Sequence, residues 1–342
     1  MGAALSQNSY PPIILSFIIS VPSVILYLLE VCIMLICYRN FRSAFFRLFI
    51  ARSICNFLFY FCASLPARFG RIGLFREFFE SLPPVLLGFT MFFGHYTFHA
   101  DNLSTVFILI NRITLILFPI SHTKIWKYFL PASLLIIFLA PLPFTAPLLS
   151  YDYFVRMQND NWTFTFDFHR DPEKQYLKSV YISGVSGFLF CGICGVLNFL
   201  TIFIYRRTTK TVYAHHNRSQ DNVESRLTLY AFITFAAQFV MSLLMIILYI
   251  SSTSAVPFLY NTVFLAVANQ FVWIGDLCNI VFPAWSLLWA SSKVREATAK
   301  FLRISRFRFC VGKISVEQQP IILLHTQGRS RTQTVSSTQC CT

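Results

Sequence analysis

The sequence predicts an all-α membrane protein: seven transmembrane helices, N-terminus outside, C-terminus cytoplasmic, with an amphipathic helix after the seventh span. Composition is the first reason. Of 342 residues, 56% are hydrophobic and only 12% are charged, with a mean hydropathy of +0.59. Soluble domains carry about a quarter charged residues, so this chain resembles lipid-embedded protein more than a large soluble core. The second reason is that seven apolar stretches reach the roughly 20 residues a spanning helix needs. They are Ile13–Tyr38, Phe45–Pro66, Pro84–Asn111, Tyr128–Leu149, Val180–Tyr205, Leu227–Ile250 and Thr262–Ala290. The third reason is where the lysines and arginines fall.

With the N-terminus outside, the cytoplasmic segments hold 21 of the 28 Lys and Arg against four acidic residues. The outer loops hold the other seven, matched by seven acids. Positive charge gathers on the cytoplasmic side of membrane proteins, so the net charge of +14 is a topology signal. It is not a nucleic-acid patch. Arg47 and Arg52 open the second span and are expected to snorkel to its end. One glycosylation sequon, Asn161-Trp162-Thr163, falls in the long loop that this topology puts outside. Asn102 and Asn217 also head sequons, but one lies within the membrane and the other on the cytoplasmic side.

In chain order, residues 1–12 form a short outer N-terminus. No basic residue precedes the first span, whose apolar run is about twice a signal-peptide core, so it is expected to remain as a helix. The seven spans occupy 13–290 and carry internal prolines at 22, 131, 141, 143 and 283, which neighbouring helices can accommodate. Span one carries Glu30; span three carries His95, His99 and Asp101; span seven carries Asp276, with Asn279 one turn on. Ionisable groups inside hydrocarbon are costly and by default mark function. The alternative is that these acids only bond to polar neighbours such as Asn56 or Gln238 and hold helices together. Span three ends in Asn111-Arg112, about 40 Å along the helix from Val85. Arg112 is thus either a topological anchor or a switch facing a cytoplasmic partner. Asp101 and Arg112 are three turns apart, on one face with Thr105 and Ile108.

After span seven, Val294, Ala297, Phe301 and Ile304 recur at helical spacing among basic residues. Residues 291–311 are therefore expected to lie as an amphipathic helix on the inner leaflet, with Cys310 as a palmitoylation site. Residues 312–342 read as a disordered tail with a phosphorylatable Ser/Thr tract. Seven of the ten cysteines lie in spans and three in the tail, so no disulfide is expected in the outer loops. His95 and His99 are one turn apart, yet no third ligand converges on them, so a metal is not expected. No hydrolase, P-loop, zinc-protease or dinucleotide fingerprint appears. The reading is therefore a non-enzyme without cofactor.

Asn111-Arg112-Ile113-Thr114, Pro119 and Lys124-Ile125-Trp126-Lys127 resemble the corresponding stretch of nematode serpentine chemoreceptors of class gamma or the related class V. So do Phe41-Arg42-Ser43-Ala44-Phe45-Phe46-Arg47-Leu48-Phe49 before span two and Ser291-Ser292-Lys293-Val294-Arg295 after span seven. The resemblance covers roughly residues 22–295. It implies a G-protein-coupled receptor in the cell membrane of a sensory neuron. Asn111, Arg112 and Pro119 would face a heterotrimeric G protein, Asp101 and Asn279 would form an intramembrane switch, and the Ser/Thr tail would offer an arrestin site. The outer loops are net neutral and the N-terminus is short, so the expected ligand is a small, largely apolar molecule. Its expected contacts are His95, His99, Trp273 and Asp276. The competing class is a channel or transporter, which would favour internal repeats and paired broken helices. No repeat relates the two halves of the sequence.

Overall fold

The computed structural model describes residues 10–157, 162–168, 176–212, 218–253, 263 and 265–306. Helix α1 is Tyr10–Ile36, α2 is Ala44–Ile72, α3 is Arg76–Ser81, α4 is Pro84–Leu117 and α5 is His122–Leu139. A short helical turn and a 3-10 segment carry α5 on to Ser150. Two strands follow, β1 at Tyr153–Met157 and β2 at Phe164–Phe168. Helices α6, Tyr176–Val212, and α7, Arg218–Thr253, come next. Helix α8 covers 265–290, and α9 is Ser292–Arg306. Among the described residues, five helices are long and apolar enough to cross a membrane, and α7 adds a shorter apolar stretch, Phe232–Leu248. Large apolar side chains such as Ile18, Ile25, Phe188, Val196 and Phe199 are more than half exposed. Water would not favour such a surface, whereas lipid would.

Two helices contain a π segment, Phe59–Ser64 in α2 and Leu277–Val281 in α8. Each lies just before a proline, Pro66 and Pro283. A proline inside a helix removes one N–H and pushes its ring toward the carbonyl four residues back. Widening the preceding turn relieves that clash without ending the helix. Helix α2 therefore continues past Pro66 to Ile72, further than the sequence pattern suggests. It stops in a Schellman turn. Gly73 takes φ +70, its N–H bonds to Gly70 at 3.2 Å, and the Leu74 N–H reaches back to Phe69 at 2.9 Å.

The all-α expectation needs one correction. Residues 153–157 and 164–168 form an antiparallel pair of strands, a hairpin that sets Tyr153 against Phe168 and Met157 against Phe164. Phe164, Phe166 and Phe168 alternate with Thr165 and Asp167, a two-residue period that suits a half-buried strand. The hairpin is held by an aromatic core of its own, in which Phe79, Leu87, Leu148, Tyr151, Tyr153 and Phe164 are buried. It rests on glycines. A Cβ at Gly70 would sit 2.6 Å from the Phe164 carbonyl oxygen, and one at Gly88 would sit 3.1 Å from the Tyr153 ring.

Along the bundle a larger core joins α1, α2, α4, α5, α7, α8 and α9, with Tyr27, Phe49, Tyr230 and Leu287 fully buried. Helix α9 begins at Ser291, whose Oγ accepts from the Val294 N–H at 3.3 Å. Arg295 turns back and donates to the carbonyls of Leu288, at 3.2 Å, and Trp289, which closes the end of α8. Val294 and Thr298 are buried while Phe301 and Leu302 are exposed, so α9 uses one edge for the bundle and leaves apolar residues outside it.

Candidate ligand cavity and buried ion pairs

Helix α2 places two arginines inside the bundle, and both are fully buried. Arg52 donates through Nε to Asp101 Oδ1 at 2.6 Å and through Nη2 to Oδ2 at 3.2 Å. The expectation that Arg52 snorkels is thereby corrected. It lies two turns past Ala44, about 12 Å along the helix, and its planar fork matches a carboxylate. Arg68, placed by the charge count in an outer loop, is also corrected. It bonds to Ser64 at 2.9 Å and pairs with Asp276 of α8, which also accepts from Ser16 of α1. The Arg68 guanidinium lies over the rings of Phe17 and Tyr60, 5.4 and 4.9 Å from their centroids. Asp101 and Asp276 thus each meet a cation, which offsets the cost of burying their charge, whereas Glu30 of α1 is buried with no hydrogen-bond partner for either carboxyl oxygen among the described residues.

Asp101 has a further partner. Gln238 of α7 donates from Nε2 to Asp101 Oδ2 at 2.8 Å, to the Asp101 carbonyl at 3.1 Å and to Thr105 Oγ1 at 2.7 Å. Three helices, α2, α4 and α7, are therefore tied at one carboxylate. Beside this knot lies a cavity among α2, α4, α7 and α8. Its polar side is Asn56, Thr97, Asp101, Asn102, Gln238 and Asn279. Its apolar side is Phe59, Phe98, Met241, Met245 and Phe271. The volume of the cavity is about 20 Å³. That holds about one water, so a larger guest requires the thioethers and rings to repack.

Of the residues expected to hold ligand, His95 and His99 sit together on the seam between α4 and α6. His95 Nδ1 lies 3.0 Å from Ser183 Oγ; His99 meets Ser183 through Nε2 at 3.4 Å and Ser186 through Nδ1 at 3.3 Å. Asp276 belongs to a different seam, that of α1, α2 and α8. Trp273 hydrogen bonds Gln270 on its own helix. Asp101 and Asn279, expected as the intramembrane switch, both line the cavity. Among the described residues no group of three or more potential metal ligands occurs.

At the far end of α4, Asn111 Nδ2 lies 3.1 Å from His122 Nε2, and Trp126 donates to Thr114 at 2.8 Å. Arg112 is buried with its guanidinium 4.1 Å from the Phe45 ring centroid. Pro119 lies in an exposed turn with Phe118 and Ile120, the latter 94% exposed. Asn161 and Cys310 lie outside the described residues. Sequence reasoning missed Arg68 as a bundle residue and the hairpin; Gln238, weighed as a polar neighbour for the in-span acids, does bond Asp101. The available signals were the cations Arg52 and Arg68 within and just past span two, set against acids within spans three and seven, and the alternation at 164–168.

Residues 13–298 match the family model described as Srg family chemoreceptor. Relatives in Caenorhabditis elegans include serpentine receptor class V-1, 26% identical over 57% of this chain. Serpentine receptor class gamma-20 is 30% identical over 30% of this chain, and class gamma-31 is 30% identical over 42%. The matched stretches span 61%, 31% and 49% of those three relatives' own lengths.

Proposed function

The chain belongs to the Srg family of chemoreceptors, and on that footing we propose that it is a seven-span receptor, N-terminus outside. It senses a small, largely apolar external molecule and signals to a cytoplasmic heterotrimeric G protein, in the membrane of a sensory neuron. One observation supports this reading above the rest. Helix α4 carries Asp101 on the wall of the central cavity and, three turns on, the buried Arg112 and the exposed turn Leu117-Phe118-Pro119-Ile120. One rigid element therefore joins a candidate ligand site to a candidate docking surface.

In this reading the cavity is the ligand site. Asp101 and Asn279 form part of its wall and of the switch, and His95 and His99 contribute through the adjoining seam. Asn111, Arg112 and Pro119 meet the G protein once the end of α7 moves away from α4. A ligand drives this only through unequal affinity for the two states, and Gln238 is the contact that would differ between them. The test is a small-molecule screen in cells expressing the receptor, with a calcium readout, alongside an ion-flux assay in cells lacking G protein. The reading expects a calcium response that requires G protein. Current without G protein would make the chain a channel instead.

A further inference from the structure

We propose that the wall of the central cavity recognises a single hydrogen-bond donor, and that the ligand is a small, neutral, mostly apolar molecule bearing one hydroxyl group. This rests on reading the cavity as the ligand site. The Gln238 amide is fixed in orientation by chemistry. The carboxylate and the carbonyl of Asp101 only accept, so the NH2 end must face them. The other end, Oε1, is then buried and has no hydrogen-bond partner among the described residues, in a side chain only 5% exposed. A buried acceptor left unmatched is costly, so a donor from outside the chain is favoured there. The acceptor belongs to the residue that ties α7 to α4, at the carboxylate that Arg52 of α2 also holds.

The surroundings narrow the donor further. Arg52 engages both carboxylate oxygens of Asp101 at 2.6 and 3.2 Å, so the acid's charge is already matched. A cationic head would find the Asp101 carboxylate already paired, and an anionic head would meet that carboxylate; either adds an unmatched charge to a site walled by Phe59, Phe98, Met241 and Phe271. A neutral O–H fits the acceptor, and an apolar body fits the wall. Ethers and ketones of the same shape lack the proton that Gln238 Oε1 needs. Sites built around a buried hydrogen bond discriminate strongly against analogues that lack it.

The experiment measures binding to the purified full chain in nanodiscs, with heptan-1-ol and benzyl alcohol as probes and their methyl ethers as controls. Saturable thermal stabilisation of the receptor is read for each probe. The alcohols should bind roughly tenfold or more tightly than the ethers. Q238L should erase that preference while apolar binding survives. Because Q238L also removes the bonds to Asp101 and Thr105, a second variant, M245F, fills the cavity from its apolar side and leaves those bonds in place. M245F should weaken alcohol and ether alike. Equal binding of alcohol and ether to the wild-type chain, or no saturable binding of either alcohol, would overturn the hydroxyl site. A water held at Gln238 would give the first of these results. An alcohol preference that survives both Q238L and M245F would place the site elsewhere and overturn it as well. The readout is binding alone, so a failure of G-protein coupling leaves this inference standing. Conversely, a screened agonist whose potency is unmoved by M245F would overturn the cavity as ligand site.

Discussion

Arg52 and Asp101 face each other across two helices and share two hydrogen bonds, at 2.6 and 3.2 Å, with the arginine side chain wholly buried. Removing one partner of a buried pair strands the other charge, at a cost of about 3–5 kcal/mol, whereas replacing both with apolar groups costs far less. R52A and D101A should each lower the melting temperature of the purified receptor sharply. The double change R52M/D101L should melt above either single variant, since contacting residues are not additive. Melting curves of the three proteins decide it, and simple addition of the two losses would refute the pairing.

The second pair gives a graded series. Arg68 is bonded to Asp276 and Ser64 and lies between Phe17 and Tyr60, whereas Ser16 adds one neutral hydroxyl to the same carboxylate. R68A should cost about 3–5 kcal/mol and S16A about 1 kcal/mol. R68K should fall between them, because lysine keeps the charge but loses the planar stack. Thermal unfolding would expose a failure if S16A proved as damaging as R68A.

The hairpin should loosen when its glycine seat is filled. G73A places a side chain at φ +70, where non-glycine residues lose about 1 kcal/mol, and its Cβ would meet Trp162 at 2.6–2.7 Å. G70A drives a Cβ into the Phe164 carbonyl. Both variants should show faster amide exchange at 153–157 and 164–168 and little change in α4 or α8. Unchanged protection of the strands would mean that the aromatic core alone holds the hairpin.

Orientation has its own test. Asn161 should carry a glycan, and N161Q should abolish the glycosidase-sensitive mobility shift, while N102Q and N217Q leave it intact. A shift that survives N161Q would contradict the placement of this loop outside the cell.

The helices were legible because their apolar runs are long, but the prolines did not tell which turns widen: Pro22 and Pro131 sit in regular helix, whereas Pro66 and Pro283 follow π segments. Asp101 and Asp276 were legible as inward-facing because a carboxylate is costly in lipid. Their partners were harder to see. Arg52 and Arg68 occupy the two ends of one apolar run, where an arginine can equally snorkel, and only the packing of α2 against α4 and α8 decides between water and a carboxylate. Gln238 was legible as one of several amides that could bond an in-span acid, but the sequence alone does not tell which acid it meets. His95 and His99 looked like a pair and are one, but helix spacing alone does not tell which neighbour they face, and Ser183 and Ser186 meet them from α6. The hairpin left a faint alternation at Phe164, Phe166 and Phe168 within a loop otherwise read by its charge and its sequon.

The account turns on α4 carrying a signal from the cavity at Asp101 to the surface around Arg112. The direct measurement compares R112A and R112K with the wild-type receptor in surface expression, agonist binding and G-protein activation, using an agonist from the screen. R112A should reach the surface and bind agonist, with signalling lost. R112K should also fail to signal, because lysine lacks the planar fork that stacks 4.1 Å from Phe45. Normal signalling by R112K would show that charge alone matters there, and an R112A protein that fails only to insert would make Arg112 a membrane anchor; either result would contradict the account.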